Sequence, residues 1–275
     1  MRASCCAGLD PDHRSVGRFF QDEIATPLGL DLYIRLPEEI SDSRLARLAR
    51  PTGVTWDMFT MPIAVTLAGL NPRSNLRRCL LGSEVPEQSD RVYARDLEVP
   101  SGSGVGTARS LARAYSAFAT DGSEIGLHGE TLRQLMAPAI PPAHGFRDQC
   151  LKVEVQFSLG FAKLGAGDTY IHPSAFGHFG AGGSLGFADP HAQIGYGYIP
   201  NRFLMSFQDP RDIALRTALY RSIGELHPAE TDRQWMTFVL ERTRRSPFPQ
   251  SASWCPTRSV SGWPGVASRS SWRWM

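Results

Sequence analysis

The residues whose types and spacing could do chemistry gather between Phe176 and Asn201, in the run FGHFGAGGSLGFADPHAQIGYGYIPN. A histidine stands two places before a glycine in His178-Phe179-Gly180, and Gly182-Gly183-Ser184-Leu185-Gly186 satisfies the Gly-x-Ser-x-Gly pattern of an activated serine. That pattern needs a helix directly after it, so that the hydroxyl stands on a sharp strand-to-helix turn. Pro190 and an alternation of glycine with tyrosine follow instead, and Ser184 reads as a turn serine. Gly180, Gly182 and Gly186 miss the dinucleotide-binding spacing by one residue and also lack the helix. Gly102-Ser103-Gly104-Val105-Gly106-Thr107 does precede a helical stretch and could hold an anion at its N-terminus. It has no lysine and no phosphate-loop spacing, so a structural loop is the favoured reading. None of the seven histidines stands in H-x-x-x-H or HExxH spacing, and Cys5, Cys6, Cys79, Cys150 and Cys255 form no CxxC pair. Free thiols are expected, with no metal and no cofactor.

The elements that must position this run are legible in outline. Ile194, Tyr196 and Tyr198 alternate with glycine, the period of a strand with backbone close against one face. The run therefore reads as strand, glycine turn, strand. Upstream, Gln156 to Leu164 is strand-like, and Thr107 is a good N-cap for a helix over Ala108 to Ala119 with Leu111, Tyr115 and Phe118 on one face. A second helix, Glu130 to Met136, stops before Pro138. Downstream, Arg202 to Gln208 reads as a strand, and Pro210 to Ile223 as a helix with proline in its first turn. Nearer the start, Phe19, Phe20 and Ile24 lie at helical spacing before Pro27 and Gly29. Ser41 to Arg50 is expected to be a short basic helix. Trp56 to Leu70 reads as a buried helix kinked or begun at Pro62, and Asn71 to Leu81 as another short helix. His172, six residues before His178, is expected as its neighbour across the mouth of the site.

Composition narrows the classes. The chain has 275 residues, 42% hydrophobic and 20% charged, enough for one large domain or one and a half. A formal net charge of +2 implies neither nucleic-acid nor membrane electrostatics, and no run of apolar residues is long enough to span a bilayer. The first residues, MRASCCAGLDPDHR, lack the apolar core of a signal peptide. After Arg245 the chain is rich in Ser, Pro, Arg and Trp without any period. A disordered or alternatively translated tail is the favoured reading there, with a membrane-surface anchor the minority one.

The whole pattern resembles the serine β-lactamase and penicillin-binding-protein family, in the branch that holds class C enzymes, related esterases and β-lactamase domain proteins. There a Lys-Thr-Gly or His-x-Gly motif on an edge strand precedes a glycine-rich hairpin. His178-Phe179-Gly180 matches the motif, and Gly182 to Pro190 matches the hairpin phrase Gly-Gly-Ser-x-Gly-Phe-Ala-Asp-Pro. Gly197-Tyr198-Ile199-Pro200-Asn201 closes the match, while Phe19 to Leu30 and Leu36-Pro37-Glu38-Glu39 extend it upstream. The resemblance covers Val16 to Leu226. It implies an α+β fold, an antiparallel sheet flanked by helices, and acyl transfer on esters or amides through a serine-bound intermediate. By that resemblance His178, Gly180 and Ala181 are the site residues, with the Ala181 N–H at the oxyanion position.

Two further family motifs are not found in the sequence. Lys152 and Lys163 are the only lysines, and the residues three before them are Gln149 and Gly160, so there is no Ser-x-x-Lys. No tyrosine is followed two places later by asparagine. The expectation is a domain truncated at its N-terminus and incomplete, nearly inert alone because loss of the nucleophile by itself costs about 10⁶ in rate. The alternative is a non-catalytic β-lactamase-fold binding or interaction protein. The expected partner is a small-molecule ester or amide, if the missing segment completes the site; neither nucleic acid nor a membrane span is expected. The expected division is an unmatched segment over 1–14, a partial domain over 15–227, a C-terminal helix over 228–245 and a tail over 246–275.

Overall fold

A computed structural model describes residues 8–46, 49, 62–81, 95, 97–102, 104–166, 171–204, 209–226 and 272–273. In chain order, helix α1 (Val16–Phe20) continues as a wider turn over Gln21–Ala25 and leads to strand β1 (Leu32–Tyr33). Helices α2 (Ile63–Leu70) and α3 (Asn75–Leu81) follow, then β2 (Val105–Gly106), α4 (Ala108–Ala119) and α5 (Gly129–Met136). The strands β3 (Phe157–Ser158), β4 (Phe161–Lys163), β5 (Phe176–Phe179), β6 (Leu185–Asp189) and β7 (Ile194–Tyr198) pair in sequence order as one antiparallel sheet. Helix α6 (Pro210–Leu226) comes next. Strand β8 (Trp272–Arg273) lies antiparallel on β2, which pairs with β1 on its other side. This is the expected α+β class.

The alternation in β7 places a different partner on each face of the sheet. A Cβ on Gly195 would lie 2.2 Å from the Ser116 nitrogen and 2.4 Å from the Ala112 oxygen, and one on Gly197 would lie 2.5 Å from the Ala108 oxygen. Helix α4 therefore rests directly on the backbone of β7, a distance that only glycine permits. Tyr196 and Tyr198 point the other way. Tyr196 donates to Asp212 (2.8 Å) and Tyr198 to Asp209 (3.4 Å), at the start of α6. Burial and the Asp212 carboxylate push the Tyr196 hydroxyl well above its ordinary pKa, while burial raises Asp212 despite Arg216 at 2.7 Å. All five residues of β6 are buried, as a central strand covered on both faces must be.

The core follows from these two contacts. On the α4 side, Phe118, Phe161 and Phe176 meet edge to face with centroids 5.3–6.1 Å apart, above Leu132 and Leu135 of α5. On the α6 side, Leu185, Phe187 and Ile171 pack with Tyr220. Thr107 caps α4 by accepting from the Ser110 N–H (3.1 Å), and the helix begins and ends where its periodicity predicts.

Several local expectations need correction. Over the described part of 41–50, residues 41–46 and 49, the expected helix is not formed. Only a single tight turn forms at Asp42–Arg44, and Ala49 instead pairs with Arg202 in an isolated bridge. The buried Arg95 donates to the Pro37 and Ile40 carbonyls and to Asp42, holding this loop in a non-helical course. Gln156 to Leu164 is a hairpin, not one strand, because Leu159 and Gly160 turn with positive φ between β3 and β4. Of the expected Arg202–Gln208 strand, residues 202–204 form isolated bridges at Arg202 and Leu204, and 205–208 lie outside the described residues. Helix α2 begins after Pro62, and residues 51–61 lie outside the described residues, as do 227–271.

Candidate functional site

The sheet opens to solvent at the end of β5. Phe176 and Gly177 are buried, whereas His178 and Phe179 are exposed. The chain then turns tightly. The Gly180 N–H donates to the Ser184 carbonyl (2.8 Å) and the Gly183 N–H to the Gly180 carbonyl (3.3 Å). Gly182 and Gly183 hold φ of 84° and 101°, which side chains rarely adopt. A Cβ at Gly182 would strike the Phe203 ring, and one at Gly183 the Asp209 carboxylate. The turn is thereby clamped between residue 203 and the N-cap of α6, where Asp209 accepts from the Arg211 N–H (2.9 Å).

Ala181 sits exposed at the tip of this turn, and its N–H donates to no acceptor among the described residues. A free amide on a clamped turn is a fixed hydrogen-bond donor. His178 lies on the preceding strand, its Nδ1 2.6 Å from the Phe179 carbonyl oxygen. Its ring stands against Phe157 with centroids 5.7 Å apart. The three residues singled out by the resemblance, His178, Gly180 and Ala181, thus lie consecutively along one open rim.

His172 is not beside His178. It stacks on His191 at 4.1 Å with near-parallel planes, at the opposite end of the hairpin. Asp189, fully buried, accepts from the His191 and Ala192 N–H groups (3.1 and 3.2 Å) and from the Tyr220 hydroxyl (2.6 Å), closing the turn that its Asp-Pro sequence announces. Ser184 is 2% exposed and its Oγ has no partner among the described residues, so it reads as an interior turn residue. An open cavity of about 400 Å³ lies elsewhere, between α2, α3 and the Arg147–Lys152 segment, and is lined by none of the three rim residues.

Two side chains escaped the sequence reading. Phe157 of β3 reaches His178 of β5 across the one strand between them, a contact no local pattern announces. Lys163 is buried beneath the sheet, its Nζ donating to the Leu135 carbonyl at the end of α5 and lying over the Phe176 ring. Burial pulls its pKa down to about 8. The signal available was rarity, since Lys163 is one of only two lysines among 29 basic residues.

Comparison with known proteins adds the family. A family model described as Beta-lactamase matches residues 6–220. Among curated proteins, the Esterase/beta-lactamase LipL of Mycobacterium tuberculosis is 27% identical over 186 residues, which is 67% of this chain and 42% of that protein. A penicillin-binding protein homologue from Caulobacter crescentus is similar in structure with a TM-score of 0.60 at 30% identity, over 77% of this chain and 53% of its own. A family VIII carboxylesterase gives 0.55 at 30% identity, over 76% and 52%. The chain spans about half the length of the relatives it matches.

Proposed function

The chain belongs to the Beta-lactamase family, and from that premise we propose that residues 176–201 form the strand-side wall of a serine-hydrolase site for acyl transfer on ester or amide bonds. In such a reaction a serine hydroxyl adds to the carbonyl carbon, and the carbonyl oxygen becomes an anion that a fixed N–H must hold. Ala181 supplies that N–H. Gly180 gives the carbonyl a path without a side chain in the way, and His178 faces the acyl or leaving group from the strand. The observation that carries the reading is the exposed Ala181 N–H, without an acceptor among the described residues, on a turn clamped by two glycines of positive φ.

The attacking hydroxyl and its base come, in this reading, from outside these 275 residues, since Ser-x-x-Lys and Tyr-x-Asn do not occur within them. The partner is then a small-molecule ester or amide. Intact-mass measurement after exposure to a fluorophosphonate tests this. The chain alone should stay unmodified, and a mixture with a segment bearing both motifs should gain one adduct on that segment's serine. An adduct on the 275-residue chain would overturn the assignment of the nucleophile, and no adduct in either sample would favour a binding protein.

A further inference from the structure

We infer that the open cavity between α2, α3 and the Arg147–Lys152 segment is a binding site for a small amphipathic anion, a carboxylate carried on an alkyl chain. The site lies apart from the strand-side rim and does not depend on the acyl-transfer reading.

The head-group end follows from two cations without counter-ions. The cavity, about 400 Å³, is lined by Arg147 and Lys152 from one segment and by Asn71 and Asn75 from the junction of α2 and α3. Neither cationic side chain has an ion pair or a hydrogen bond among the described residues. Two acids lie near them in sequence, and neither lines the cavity. Asp148 turns its Oδ1 to the Cys150 and Leu151 N–H groups (2.8 and 2.6 Å), and Glu154 stands opposite Arg147 in an isolated antiparallel bridge without pairing with it. Lys152 is half-buried and held in place. Its N–H donates to the Asp148 carbonyl (3.0 Å), and Leu151 and Val153 on either side pack against Val65, Ala68 and Leu76. An ammonium kept partly out of water with no acid beside it carries a desolvation cost that an incoming anion offsets. Asn71 accepts from the Arg73 N–H through Oδ1 (2.9 Å), which leaves its amide NH₂ as a further donor.

The tail end follows from α2. Ile63, Leu67 and Leu70, spaced i, i+4 and i+7, form one stripe on this helix and are 77%, 60% and 70% exposed. Leu67 also lines the cavity, beside Ala64 and Ala68, so the apolar stripe runs continuously into the cationic site. At 1.5 Å per residue the stripe extends about 10 Å, the reach of a medium-length alkyl chain. The surface is held in shape from behind. The Ser74 hydroxyl donates to the Ala68 carbonyl and the Arg77 guanidinium to the Gly69 carbonyl (3.0 Å), tying α3 to the end of α2. An inorganic anion would pair with the cations and leave the stripe in water. A wholly apolar ligand would cover the stripe and leave the cations unpaired. A carboxylate with an alkyl chain satisfies both halves, in a cavity within the usual range of about 300–1,000 Å³ for small molecules.

The test is a titration of the full 275-residue chain with decanoate below its micelle concentration, following the Leu67 and Lys152 amides by nuclear magnetic resonance. Both should shift, and hexanoate should need a concentration at least about ten-fold higher because it buries fewer methylenes. Decyltrimethylammonium, with the same chain and the opposite charge, should move neither. Lys152→Met keeps most of the apolar stem and removes the charge, so it should weaken decanoate about ten-fold. Arg147→Gln, at an exposed position, should act in the same direction and serves as the readout if the first variant does not fold. Equal response to the two decyl probes, or unchanged decanoate binding in the variants, overturns the inference at its head group. Equal binding of hexanoate and decanoate overturns it at the tail, and decanoate without effect on Leu67 and Lys152 overturns it outright. Binding to phosphatidylglycerol vesicles with no response to monomeric decanoate also overturns it, and assigns the stripe to a membrane surface instead.

Discussion

Replacing Gly195 by alanine tests the packing that sets the hairpin in place. The new Cβ would lie 2.2 Å from the Ser116 nitrogen, 2.4 Å from the Ala112 oxygen and 2.5 Å from the Ser116 Cα, all backbone atoms of α4. Real Cβ contacts do not fall below 3.0 Å, so helix and strand must separate by about 0.8 Å along their shared face. No flexible side chain can yield instead. Overpacking of this kind costs typically 1–3 kcal/mol, and a clash with rigid backbone belongs at about 3 kcal/mol. For a chain of this size that lowers the melting temperature by roughly 6–12 °C. Thermal or urea unfolding of the two proteins measures it, with Gly69→Ala as the internal control. Gly69 lies in α2 with nothing within 4 Å, so alanine there should raise stability by about 0.5–1 kcal/mol. If Gly195→Ala unfolded like the native chain, the direct seating of α4 on β7 would be wrong.

Three further outcomes follow from named contacts. Lys163 has a folded-state pKa near 8 against an ordinary 10.5, so the unfolded chain holds more protons between those values and stability should rise with pH across that window. Lys163→Met should flatten this slope and gain up to about 3 kcal/mol at neutral pH, read by urea unfolding at pH 7 and pH 10; an unchanged slope would refute it. Asp189→Ala removes a fully buried carboxylate that holds two backbone N–H groups and the Tyr220 hydroxyl. It should cost about 3 kcal/mol in denaturant unfolding. Ser184→Ala deletes a buried hydroxyl that has no partner among the described residues, so its stability should be unchanged or up to about 1 kcal/mol higher. A clear loss would reveal a partner for that oxygen.

How much was legible in the sequence depended on how local the determinant is. The hairpin from Phe176 to Tyr198 was readable because the pleat writes its two faces directly into alternating residues, glycine toward α4 and tyrosine toward α6. Helix α4 was readable because its cap, its apolar stripe and its stop all lie within about a dozen residues. The stretch from Ser41 misled because Arg95, more than fifty residues away in sequence, binds the Pro37 and Ile40 carbonyls just before it and the Asp42 carboxylate at its start. The β3–β4 hairpin was hidden because its strands are only two and three residues long and Leu159, a residue that favours extended backbone, shares the positive-φ turn with Gly160. At the candidate site, His178, Gly180 and Ala181 could be singled out from the family motif. The Phe157 ring beside His178 could not, since that contact arises only from strand order.

The most direct test of the acyl-transfer wall is hydrolysis of a 4-nitrophenyl ester by this chain together with a segment bearing Ser-x-x-Lys and Tyr-x-Asn. The comparison is between native Ala181 and Ala181→Pro, which deletes the one N–H in question. The expected result is activity in the native mixture and a fall of about 10²–10³ in kcat with the variant, the size of one oxyanion donor. Equal kcat in the two mixtures would contradict the claim that this turn holds the developing negative charge.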